Sequence, residues 1–75
     1  MRVFVKLIGP YIYQGGFSEK DMDFDGPVSA EELIAGLHLN PEQPKIVVRN
    51  GHGIKLEEMI GDGDRVVIAP VYSGG

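Results

Sequence analysis

Ser29-Ala30-Glu31-Glu32-Leu33-Ile34-Ala35-Gly36-Leu37-His38-Leu39-Asn40-Pro41, residues 29–41 of a 75-residue chain, is the stretch on which the fold turns. Ser29 with Glu32 three residues on has the form of a capping box, in which a hydroxyl and a carboxylate satisfy backbone N–H groups left free at a helix start. Val28 and Leu33 are placed to add a hydrophobic staple. Leu33, Ile34 and Leu37 fall at helical spacing, His38 lies in the last turn, and Asn40-Pro41 stops the helix after about three turns. One short helix in mid-chain leaves the flanks to strands and turns.

Upstream, residues 2–8 alternate, with Val3, Val5 and Leu7 on one side and Arg2, Phe4 and Lys6 on the other, the period of a half-buried strand. Gly9-Pro10 interrupts it. Residues 11–17 read as an aromatic-rich connection around Gly15-Gly16, with Tyr11, Ile12, Tyr13 and Phe17 covering one end of the core. Residues 20–25 resume alternation, Met22 and Phe24 against Asp21, Asp23 and Asp25, so the first two strands form a hairpin.

Downstream, residues 45–50 read as a third strand with Ile46 and Val48 toward the helix and Lys45, Val47 and Arg49 away from it. Asn50-Gly51 is a strong hairpin turn signal leading into a brief strand at residues 54–56. After the Gly61-Asp62-Gly63-Asp64 turn, residues 65–71 form a last strand with Val66 and Ile68 inward and Val67 and Ala69 outward. Two strands, a helix and two or three more strands in one small unit make an α+β domain, a β-grasp with a mixed sheet of four to five strands and one short helix packed across it. Residues 1–71 are expected to form this domain and residues 72–75 a flexible tail.

Composition excludes several functions. The chain has no Cys, which rules out thiol nucleophiles and the usual zinc and iron–sulfur sites. His38 and His52 lack companion ligands at metal spacing, so no metal is expected. Glu57 and Glu58 diverge as sequence neighbours, and Asp62 and Asp64 are read as shaping a turn rather than binding a cation. No catalytic residues and no bound cofactor are expected. A formal net charge of −4 is the wrong sign for a nucleic-acid binder. The only apolar stretch near the start is broken by Lys6 and is too short for a membrane span or signal core, so a soluble cytoplasmic protein is the expectation.

The alternation collects five of the seven basic residues, Arg2, Lys6, Lys45, Arg49 and Arg65, on the outer sheet face around Phe4, Val47 and Val67. An apolar patch rimmed by positive charge suits docking to an acidic partner, with Phe4, Val47, Arg49, Arg65 and Val67 as contacts. The plainer reading is that Asp21, Asp23 and Asp25 of the second strand pair with Arg2 and Lys6 across the hairpin.

The segment Ile46-Val47-Val48-Arg49-Asn50-Gly51, the turn and strand from Asp62 to Ile68, and the ending Pro70-Val71-Tyr72-Ser73-Gly74-Gly75 resemble the ubiquitin-like sulfur-carrier family, which includes the molybdopterin synthase small subunit and the thiamine-biosynthesis sulfur carrier. The resemblance implies that an adenylating, E1-like enzyme uses ATP to convert the Gly75 carboxylate to an acyl-adenylate. A sulfur donor then displaces AMP to leave a C-terminal thiocarboxylate. It further implies delivery of sulfur to a synthase, either the molybdopterin synthase large subunit or thiazole synthase, with the carrier a cosubstrate rather than an enzyme. Gly74 and Gly75 suit entry into a narrow channel because they lack Cβ. Val71, Tyr72 and Ser73 complete the partner-binding tail, and residues 71–75 can reach on the order of 15–18 Å from the domain. Pro70-Val71 ahead of Gly-Gly leans toward the molybdopterin branch, while Ala69 and the Tyr72-Ser73 spacing depart from it. Two other readings are a ubiquitin-like modifier, whose activated Gly75 is taken by a lysine, and a non-covalent β-grasp interaction module.

Overall fold

In the computed structural model, which describes residues 1–71, five strands form one mixed sheet. They are β1 (Arg2–Leu7), β2 (Glu19–Asp23), β4 (Lys45–Arg49), β5 (His52–Ile54) and β7 (Arg65–Pro70), in the order β2-β1-β7-β4-β5. The central pair β1 and β7 is parallel, and every other neighbour is antiparallel. Val3, Val5, Leu7, Val66 and Ile68 are fully buried on one face, as their alternation requires. Met22 and Phe24 pack on the margin of the same core.

The helix α2 (Ala30–Ala35) lies against that face and buries Ala30 and Leu33. Its capping box is complete: Glu32 N–H donates to Ser29 Oγ at 3.0 Å, and Ser29 N–H donates to Glu32 Oε1 at 3.0 Å. The Ser29 N–H bond to the ionised form, with the Ser29 hydroxyl second, holds the Glu32 carboxyl below its ordinary range. Two further donors at the helix start go to the chain beyond the sheet, Ala30 N–H to the Glu58 carbonyl and Glu31 N–H to the Leu56 carbonyl, each at 2.9 Å. Beside them β3 (Val28–Ser29) and β6 (Met59–Ile60) form a two-stranded ladder, with Ile60 buried beneath it.

Four expectations change. The helix ends at Ala35 instead of running to His38, because Gly36 caps it and His38 turns the chain through a left-handed φ of 58°. That reversal lets Leu37 and Leu39 both reach the core. Residues 11–15 are not plain connection but a second short helix, α1 (Tyr11–Gly15), closed by Gly16 at φ 84°. Tyr11 is fully buried there, Ile12 and Phe17 line the core margin, and Tyr13 is 88% exposed, so all but Tyr13 cover the core end as expected. The brief fifth strand falls at residues 52–54 rather than 54–56, because the two-residue Asn50-Gly51 turn pairs Arg49 directly with His52.

The fourth change matters most for function. Val47 pairs with Ile68 and Ile54 on the core face and is 3% exposed, while Ile46 and Val48 point outward. The phase of β4 is therefore opposite to the sequence reading. Ile46-Val47-Val48 is apolar at three successive positions, so alternation fixes no phase, and the register with β7 sets it instead.

Candidate functional site

The outer sheet face follows from the register. Phe4 lies beside Arg65, Lys6 beside Val67, Val67 beside Val48, and Ala69 beside Ile46. The Arg65 guanidinium carbon sits 4.6 Å from the Phe4 ring centroid, a cation–π stack that holds both side chains on the surface. Toward β2 the face is charge-paired: Arg2 Nε to Asp23 Oδ1 is 3.1 Å, and Lys6 Nζ to Glu19 Oε1 is 4.0 Å. The hydrogen bond to Asp23 and that carboxylate's charge raise the Arg2 pKa. Toward β4 it becomes apolar, with Ile46 exposed and Val48 and Val67 half-buried.

Of the predicted contacts, Phe4, Arg65 and Val67 occupy this face, and Val71 is exposed at its end. Val47 does not, being in the core. Arg49 does not either: it shares the core-side register with Val66, and its guanidinium donates to the Met59 carbonyl and lies 3.9 Å from Glu58. Lys45 likewise pairs with Pro70 on that side. Three of the five basic residues therefore remain outside, two of them in cross-strand pairs: the plainer charge-pairing reading holds for Arg2 with Asp23, while Lys6 is paired with Glu19 rather than with one of the three aspartates.

At the far end of β7 the chain is fastened at Val71. Val71 N–H donates to the Pro44 carbonyl at 3.1 Å, and the buried Tyr11 hydroxyl approaches the same oxygen at 3.5 Å. Lys45 Nζ donates to the carbonyls of Asn40 and Gln43 and lies 5.4 Å from the Tyr11 ring centroid, while Asn40 N–H donates to Gln14 Oε1. Sequence reasoning missed this assembly. Its only local signal was Pro10 before, and Gly16 after, a helix-length segment. Tyr72, Ser73, Gly74 and Gly75 lie outside the described residues.

The turn carboxylates act as expected. Asp62 Oδ1 accepts Arg2 N–H at 2.7 Å, and Asp64 accepts Gly61 N–H at 2.8 Å and the Asn50 side-chain amide at 3.0 Å. Those donors, Gly61 first, pull the Asp64 carboxyl below its ordinary range. Glu58 accepts Lys55 N–H at 2.7 Å, a turn contact. Among the described residues no three His, Cys, Asp or Glu side chains are grouped to hold a metal, and no pocket is formed. Among the described residues no helix is long and apolar enough to cross a membrane. What the arrangement offers is a surface and a fastened end to β7.

A mixed five-stranded sheet holding a helix in this order defines the ubiquitin-like β-grasp class. SAMP1 from Haloferax volcanii shares the fold at 22% identity and a TM-score of 0.77 over 100% of both chains. A putative molybdopterin converting factor subunit 1 from Pyrococcus furiosus does so at 20% identity and 0.76, over 93% of this chain and 97% of that one. Subunit 1 in the Helicobacter pylori complex of molybdopterin-converting factor subunits 1 and 2 gives 23% and 0.66 over 100% of both. No curated protein matches the chain in sequence. The chain belongs to the ThiS family, whose sequence pattern matches residues 5–75. The resemblance to ubiquitin-like sulfur carriers is thus borne out.

Proposed function

We propose that the chain is a sulfur carrier that works as a protein cosubstrate. The carrying observation is the ThiS-family match, which runs through Gly74 and Gly75 on a β-grasp domain. A partner enzyme's ATP supplies the leaving group: the Gly75 carboxylate oxygen attacks the α-phosphorus, pyrophosphate leaves, and a sulfur donor then displaces AMP from the acyl carbon. The resulting thiocarboxylate is a good nucleophile carried by a chain without Cys. Phe4, Arg65, Val67, Ile46 and Val48 would meet the adenylating enzyme or the sulfur-accepting synthase, with Val71 leading the tail toward its active site. The H. pylori relative is described together with its subunit 2. We extend that pairing to this chain and favour a molybdopterin over a thiamine acceptor, in a cytoplasmic setting.

A second reading has a specific support, since the H. volcanii neighbour is described as a small archaeal modifier protein. In that reading a lysine amine, not sulfur, takes the activated Gly75. The test is the intact mass of the protein from its own cells under conditions that preserve thioacids. Exchange of one oxygen for sulfur, localised to the Gly75 peptide, is expected; lysine conjugates in its place favour the modifier. An unmodified terminus that stays so with ATP, a sulfur donor and the adenylating enzyme would leave a non-covalent module. Gly74→Trp should block activation with the fold intact. Ile46→Glu and Arg65→Glu should weaken partner binding with little change in Tm.

A further inference from the structure

Asn50-Gly51 is a chemical liability as well as a turn. The Gly51 backbone nitrogen has no Cβ beside it to hinder attack on the Asn50 side-chain carbonyl carbon. Both residues are exposed, with left-handed φ values of 51° and 85°, so solvent reaches the turn. Exposure alone would leave the amide free to react.

The fold ties it elsewhere. Asn50 Nδ2 donates to Asp64 Oδ1 at 3.0 Å, and Asn50 Oδ1 accepts Arg65 N–H at 2.9 Å, while Asn50 N–H donates to the Arg65 carbonyl at 2.9 Å. Both ends of the side-chain amide are thus engaged by the Asp64-Arg65 unit. Asp64 is itself braced by Gly61 N–H. For Gly51 nitrogen to approach Asn50 Cγ, the amide must release both partners.

We propose that Asn50 is a deamidation site held in check by the Asp64-Arg65 turn. When the turn opens, the Gly51 nitrogen loses its proton to base and forms a bond to Asn50 Cγ. The Cγ–Nδ2 bond breaks and ammonia leaves, closing a succinimide. Water then opens either carbonyl, giving aspartate or isoaspartate at position 50. Re-closure is disfavoured after either product. An aspartate places a carboxylate oxygen where the amide donor faced Asp64, setting two like charges at hydrogen-bond distance. An isoaspartate adds a methylene to the main chain between β4 and β5 and displaces the Arg49–His52 pair. The step makes a one-way chemical mark of how often this end of the sheet has opened, and it does not depend on the carrier reading.

The test incubates the full chain at mildly alkaline pH and follows ammonia loss at Asn50 by intact mass, with peptide mapping to separate aspartate from isoaspartate. The native wild type should react far more slowly than the same chain in denaturant. Asp64→Ala, which removes a charge-assisted bond, should react about tenfold or more faster under native conditions. Ile60→Val loosens the core but keeps every partner of Asn50, and should stay near the wild-type rate. Equal native rates for wild type and Asp64→Ala overturn the proposal, as does an Ile60→Val rate that matches Asp64→Ala, which would make general unfolding the gate. If Asp64→Ala does not fold, Asp64→Asn keeps an acceptor and should hold the slow rate; a rate equal to that in denaturant, in a folded Asp64→Asn chain, likewise overturns it.

Discussion

The two ends of β7 are fastened by different chemistry. At its start, Arg65 and Asp64 are held by Asn50 and Gly61 through exposed or half-buried polar groups. At its finish, Val71 is held by the Pro44 carbonyl over the buried Tyr11 ring, which α1 brings from 33 residues away. The first end depends on an ionised carboxylate and local turns. The second depends on core packing, and it sits at Val71, the last described residue. The fastening of Val71 is therefore insulated from acid, while the opposite end is not.

The largest test of that contrast is Tyr11→Ala, which empties a fully buried site and should cost about 3–5 kcal/mol in denaturant unfolding. Tyr11→Phe, which keeps the ring, should lose only about 1 kcal/mol. If Tyr11→Ala costs no more than Asp64→Ala, the Val71 fastening is not core-supported and the contrast fails. Asp64→Ala should cost about 1–3 kcal/mol and speed amide exchange at Gly61 and Arg65 while leaving Val71 protected. Lys45→Met releases the two carbonyls of the 40–44 loop and should cost about 1 kcal/mol, with faster exchange confined to Val71.

The smallest effect is a slope. Asp64 has a folded pKa below its unfolded value, so its contribution is fully present above the unfolded value, about 3.9, and is lost as pH falls through the folded one. Glu32 acts in the same sense at the helix cap. Asp64→Asn should therefore flatten the acid limb of the stability curve below about pH 5, whereas Tyr11→Phe should leave its slope unchanged. An acid limb equally steep in Asp64→Asn would place the sensitive carboxylates elsewhere.

Much of this was legible in the chain. The capping box, the Asn50-Gly51 hairpin and the alternation of β1, where charged Arg2 and Lys6 flank its outer face, each rest on contacts between near neighbours or on a single period, which a sequence records directly. The tail motif was legible as family likeness. The phase of β4 was not, because three adjacent apolar side chains satisfy either face until Val47 is set against Ile68. The extent of α2 was misjudged because Leu37 keeps helical spacing although a left-handed residue, His38, carries it and Leu39 inward separately.

The sequence by itself determined the order of the five sheet strands and α2, the start of that helix and the family, since local hydrogen bonding and hydrophobic period are properties of contiguous residues. Only the tertiary structure decided which apolar residues lie on the outer face, that Arg49 and Lys45 serve the interior side, and how Val71 is fastened. Those outcomes depend on strand register and on pairs such as Tyr11 with Pro44 and Asn50 with Asp64, whose partners are set by packing across the chain rather than by neighbours along it.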